Sequence, residues 1–292
     1  MLTRIISGAV GVVLLGAVLF FHDTLVLPIA VAAIIAVMLF ELLRAVKLHK
    51  CLPILIAAEA CGIAVPLLYG IMTKITVAGP VYEELHDFNS WRIEDEYNVF
   101  LFGIMLLCAF VVFVTWLRKH KEIRYEQVFF TLAVMILVPQ SMTTMVRMER
   151  YDPESGLFLL IMGLCGAWIA DTGAYFSGVA LGKHKLCPEI SPKKTIEGLV
   201  GGILTTAIVY SVAFSVYYGF TGKRAAVAFI TGAVCAVIGT VGDLSASMVK
   251  RQIGFKDYGK IMPGHGGLMD RFDSVLFVLP TFYVFIKVFG VQ

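Results

Sequence analysis

TLVLPIAVAAIIAVMLFELLRAVKLHK, residues 24–50, decides the fold. Its first twenty positions are apolar apart from Thr24 and Glu41. Twenty helical residues rise about 30 Å, the thickness of a bilayer's hydrocarbon core. Arg44, Lys47 and Lys50 follow at once, and cations clustered just past an apolar run mark a cytoplasmic loop.

The pattern repeats on both sides of this stretch. Nine runs qualify as spans, at roughly 5–21, 24–43, 52–72, 98–117, 127–146, 157–180, 198–220, 226–248 and 274–290. The chain is 59% hydrophobic and 15% charged, where a soluble domain is about 45–50% apolar and about 25% charged. The fold class is therefore an all-α polytopic integral membrane protein of about nine transmembrane helices. The first run ends in Phe20, Phe21 and His22 rather than in small residues, so it reads as a retained span and not a cleaved signal. With the N-terminus in the cytoplasm and the C-terminus outside, 17 lysines and arginines fall on inside segments and 6 on outside ones. Residues 181–197 and 250–272 are then cytoplasmic loops. The acidic stretch 73–97 is an outside loop, solvated by its six carboxylates and lacking EF-hand spacing. A net charge of +3 spread over short loops gives no nucleic-acid partner, and six cysteines without CxxC pairing give neither a disulfide framework nor a zinc site.

Polar residues divide the chain unevenly. Four spans in 1–125 carry little chemistry and read as a scaffold or lipid groove; the exceptions are Glu41, placed to pair with Arg44, and Glu59 inside a span. Residues 126–292 hold five spans and three polar segments. In "WIADTGAYFSGVALGKHK" (168–185), Asp171, Tyr175, Gly178 and Gly182 share one helical face, and a carboxylate inside a span is functional by default. In "KLCPEISPKKTIEG" (185–198), two prolines break the helix, and Ser191, Lys193, Lys194 and Thr195 precede the next one. That arrangement suits phosphate, or a plain N-cap with topology-setting lysines. In 239–274, Asp243, Ser247, Lys250 and Arg251 lie along one side of a helix. "KIMPGHGGLMDRFDS" (260–274) then leads into the last span. Carboxylates, cations and close-approach glycines at one membrane face suit a metal beside phosphate.

The last segment resembles the phosphatidate cytidylyltransferase (CDP-diacylglycerol synthase) family. The resemblance rests on Ser247, Lys250-Arg251, Lys256-Asp257, Gly259, Pro263, His265-Gly266-Gly267 and Asp270-Arg271-Phe272-Asp273, with "DTGAYFSG" and "PEISPKKTIEG" upstream. Met262 stands where the family more often has another apolar residue. The resemblance implies a multi-pass plasma-membrane enzyme with its site facing the cytoplasm. It would convert CTP and phosphatidate to CDP-diacylglycerol and pyrophosphate with Mg²⁺, allow a bound K⁺, and form a homodimer. It implies Asp243 and Asp270 as metal ligands, with Lys250, Arg251, Arg271 and His265 acting on phosphate. Asp171, Tyr175, Ser191, Lys194, Thr195, Ser247, Lys256, Gly266 and Gly267 would bind substrate. Asp257 would pair with Lys256 or Lys260, and Asp273 would support Asp270 or Arg271. A transporter would show matching broken-helix halves, which the sequence lacks. A CTP-using polyprenol kinase would leave CDP. A CDP-alcohol phosphotransferase would begin Asp-Gly-x-x-Ala-Arg, which is also lacking.

Overall fold

Apolar runs of bilayer length become helices because a backbone in lipid must satisfy its own hydrogen bonds. The computed structural model describes residues 2–77, 86–264 and 266–290. In chain order they form α1 (Leu2–Phe20), α2 (Val26–Ala45), α3 (Leu52–Val77), α4 (His86–Arg118), α5 (Tyr125–Glu149) and α6 (Gly156–Leu181). A hairpin of β1 (Lys185–Cys187) and β2 (Ser191–Thr195) follows, then α7 (Ile196–Tyr218), α8 (Gly222–Gln252), the one-turn α9 (Met269–Phe272) and α10 (Val275–Phe289). Among the described residues, eight helices are long and apolar enough to cross a membrane, and the apolar helix Ile6–Phe20 is shorter. The protein is an all-α polytopic membrane protein.

Two expectations change. Residues 86–97 are not loop: α4 starts at His86, while 78–85 lie outside the described residues. Residues 185–195 are an antiparallel hairpin, with Lys185 opposite Thr195 and Cys187 opposite Ser191. Prolines stop a helix but leave a two-stranded edge available, and Pro192 sits exposed in β2.

The chain divides into two units, Met1–Gly156 with Tyr258–Met269, and Leu157–Asp257 with Asp270–Gln292. In the first, α2 is the buried helix: Leu27, Val31, Ile35, Met38 and Leu39 are fully enclosed. Small residues let α3 come close, as membrane helices require. Ile35 and Leu39 fill the space a side chain at Gly62 would need, and Pro28 does so at Gly70. Gln127 of α5 donates to the Val46 carbonyl at 2.6 Å. Glu59 lies in α3, with Oε2 buried and without a hydrogen-bond partner.

The second unit packs in the same way. Gly232 of α8 lies against the Thr206 carbonyl and Ala207 of α7. Gly173 of α6 meets Thr205, and Gly202 of α7 meets the Ala170 carbonyl. Gly239 and Gly242 of α8 meet Val278, Phe277 and the Asp273 carbonyl at the start of α10. The Tyr210 hydroxyl donates to the Met162 carbonyl at 2.8 Å, which satisfies a polar group in a dry interior.

Candidate active site

The second unit brings most of the singled-out polar residues together. Along α8, Asp243, Ser247 and Lys250 recur at i, i+4 and i+7 and so share a face. The Lys194 ammonium lies 2.5 Å from Asp243 Oδ2, and Ser247 Oγ donates to Asp243 Oδ1 at 3.4 Å. Three residues further on, Lys250 Nζ donates to Asp270 Oδ1 at 2.8 Å. This second pair is deep, with side-chain exposures of 11% and 3%, so each charge helps to compensate the other.

Lys194 is placed by the hairpin, which is fastened at both ends. At its C-terminal end the Thr195 hydroxyl caps α7, accepting the Gly198 amide at 3.1 Å. At its base Glu197 accepts the amides of Lys183 and His184 at 3.1 and 3.2 Å and meets His184 Nδ1 at 2.6 Å. At the turn, Arg251 Nε reaches the Ile190 carbonyl at 3.5 Å.

Two further carboxylates share this field. Asp171 of α6 feels the charges of Lys194, Asp243 and Arg271. Asp273 feels those of Asp243, Lys250 and Asp171, and its Oδ1 accepts the Ser274 amide at 2.8 Å. Asp171 of α6, Asp243 of α8 and Asp273, in the turn between α9 and α10, therefore share a field with Lys194, Lys250 and Arg271. Such a set of opposed charges is suited to take up anionic groups and their counter-cation together.

Other singled-out residues sit elsewhere. Tyr175 is exposed, its ring edge-on to Phe176 at 5.5 Å. Gly178 and Gly182 lie against Thr195, so that small-residue face seats the start of α7. Thr195 is buried as a helix cap. Ser191 opens β2 half-buried. Lys256 and Asp257 are exposed, and among the described residues no ion pair joins Asp257 to Lys256 or Lys260. The expected loop-ordering pair is thus not formed.

His265 lies outside the described residues, and the glycine loop around it belongs to the first unit. Gly264 and Gly266 have φ of 78° and 88°, a conformation that favours glycine. They bracket a tight turn closed by the Met262 amide on the Gly266 carbonyl at 3.0 Å. Gly267 lies against Gly259 and the Glu41 carboxylate. Glu41 accepts the amides of Leu268 and Met269 at 3.2 and 2.8 Å, and Arg44 Nη2 donates to the Tyr258 carbonyl at 3.0 Å. Sequence reasoning did not connect Glu41 or Glu197 with these loops. For Glu41 the available signal was a carboxylate in an apolar span.

A model of the cytidylyltransferase family matches residues 2–289. The chain is similar to the phosphatidate cytidylyltransferase of Bacillus subtilis, with 33% identity over 291 residues covering 98% of both chains. It is also similar to the enzyme of that name from Haemophilus influenzae, with 46% identity over 145 residues, 48% of this chain and 50% of that one. A third similar protein, from Staphylococcus aureus strain COL, carries the same name and is 44% identical over 131 residues, 44% of this chain and 50% of that one. The match thus spans about half the length of the H. influenzae and S. aureus proteins and nearly all of the B. subtilis one.

Proposed function

Because this chain belongs to the cytidylyltransferase family, we propose that it transfers the cytidylyl group of CTP to phosphatidate, releasing pyrophosphate and leaving CDP-diacylglycerol in the bilayer. The observation that carries the proposal is the charge arrangement in the second unit. Lysine–aspartate pairs Lys194–Asp243 and Lys250–Asp270 lie with Asp171, Asp273 and Arg271 where membrane helices meet their loops.

The reaction asks for little acid–base chemistry. A phosphatidate oxygen, already anionic, bonds to the α-phosphorus of CTP. The bond from that phosphorus to the bridging oxygen breaks, and the oxygen departs with pyrophosphate. The difficulty is holding two anions in line, which is a matter of position and preorganised charge. In this reading Lys194 and Lys250 move from their aspartates to phosphate oxygens, and Arg271 and Arg251 add charge at the rim. The aspartates balance these lysines before substrate binds.

The residues fit a Mg²⁺ ion shared with substrate. Among the described residues no group of three or more His, Cys, Asp or Glu side chains forms a metal cage. Mg²⁺ is ordinarily held by one or two carboxylates, with phosphate oxygens and water completing its shell. Asp243 with Asp270 would hold it, with Asp273 in the same field; when bound, it would supply positive charge to the phosphates. Asp243 and Asp270 are each paired with a lysine, Lys194 and Lys250, and in this reading each exchanges that lysine for the metal when substrate binds. The division of lysines and arginines supports a cytoplasmic site supplied with soluble CTP.

Product identification tests the proposal. Purified protein given CTP and phosphatidate with Mg²⁺ is expected to release pyrophosphate and form a CDP-lipid. Release of CDP with a phosphorylated lipid would instead assign a CTP-dependent lipid kinase.

A further inference from the structure

From the geometry around Glu41 we infer that this residue, in the second helix and far from the polar segments in sequence, is a positioning residue for the reaction. It fixes the 258–269 loop and the start of α9. This inference rests on the proposed cytidylyl transfer for its kinetic consequence, though not for its geometry.

Glu41 is 1% exposed. A carboxylate so placed is costly unless charge-assisted hydrogen bonds compensate it. Here Oε1 accepts the Leu268 amide at 3.2 Å and Oε2 the Met269 amide at 2.8 Å. The first amides of a helix have no intrahelical partner. Glu41 thus does for the one-turn α9 what a capping side chain does locally, from 227 and 228 residues away. One turn later Arg44 holds the Tyr258 carbonyl at 3.0 Å, so a single edge of α2 grips the loop at both ends.

The loop is built around that carboxylate. A Cβ at Gly259 would overlap Glu41 Oε1, and one at Gly267 would press on both carboxylate oxygens and on the Gly259 amide. These two signature glycines are therefore required by the grip, with no substrate invoked. The grip ends one residue before Asp270. Consecutive Cα atoms are 3.8 Å apart, so displacement of Met269 carries over to Asp270, which pairs with Lys250 at 2.8 Å, and then to Arg271.

Glu41→Gln tests the assignment, because it keeps the shape but presents an amide donor to one of two amide donors. Two measurements are made on full-length protein in detergent. In hydrogen exchange, the peptide covering 258–269 is expected to exchange at least about tenfold faster in Glu41→Gln than in wild type. In steady-state kinetics kcat is expected to fall about 10- to 100-fold, as for misplaced catalytic groups, with KM for CTP little changed. Glu41→Asp, which keeps the charge, should recover part of kcat. Gly267→Ala, which crowds the same carboxylate, should reproduce the faster exchange. Unchanged exchange in Glu41→Gln overturns the grip. Faster exchange with wild-type kcat, or loss confined to KM, overturns the positioning role. If wild type makes no CDP-lipid, the proposed function fails, and the exchange experiment alone then upholds or overturns the grip.

Discussion

At the residue scale, Lys250 and Asp270 show how far side-chain chemistry could be read before the structure. Their residue types announced a phosphate-handling site. Their mutual bond was not legible, because helical periodicity gives a residue's face and depth but not its partner across a loop. The same limit applies to Thr195, whose position before a helix suited a cap and a phosphate ligand equally. It turns out to cap α7. Being deep and bonded, the pair makes a sharp prediction. Lys250→Met removes the ammonium bonded to a buried carboxylate and is expected to cost about 3–5 kcal/mol of stability. Adding Asp270→Asn should restore most of that loss while turnover stays low, because the lysine is also needed at phosphate. Denaturation midpoints and turnover of the single and double variants decide the matter. A double variant no more stable than Lys250→Met would show that the two do not compensate each other.

At the element scale, the α8–α10 contact keeps Asp243 near Asp273. Gly242 is adjacent to Asp243, and a Cβ there would lie 2.6 Å from the Phe277 ring and 3.0 Å from the Asp273 carbonyl. The Phe277 ring is exposed and can turn aside, but the backbone carbonyl of Asp273 cannot. Gly242→Ala is therefore expected to destabilise by about 1–3 kcal/mol through overpacking. That exceeds the roughly 1 kcal/mol gained from alanine's helix propensity. Activity should fall with it, since the carboxylates separate. Gly222→Ala, at the open start of the same helix with nothing within 4 Å, is the control and should be neutral or slightly stabilising. Equal behaviour of the two variants, by thermal unfolding and turnover, would remove the packing argument. The helices themselves were legible from length and hydropathy alone. The hairpin was not, because Pro188 and Pro192 signal only that a helix stops.

At the scale of the whole molecule, the membrane spans follow from composition, while sidedness rests on the positive-inside bias. With the cytoplasmic assignment of 250–272, Lys256→Cys should react with an impermeant maleimide only from the cytoplasmic face. Glu154→Cys, in the turn between α5 and α6, should react only from outside. Both positions are exposed. A background without native cysteines is needed, since Cys165 and Cys187 are only half-buried. Reaction of both from one side would break the alternation of spans. What pattern could not supply at this scale is the division into units. The glycine loop lies between α8 and α10 in sequence, yet it packs with the N-terminal helices.

That crossing has a consequence for the timing of biosynthesis. Glu41 leaves the ribosome 227 residues before Leu268, the amide it accepts. At ordinary elongation rates of about 5–20 residues per second, the receptor waits roughly 10–45 s for its loop. The second helix must hold its carboxylate through that interval with water or a provisional partner. A nascent chain stalled anywhere before the final helix is therefore inserted but unfinished. A late step of assembly is then the closing of one latch across nearly the whole polypeptide, and turnover stays low until it shuts.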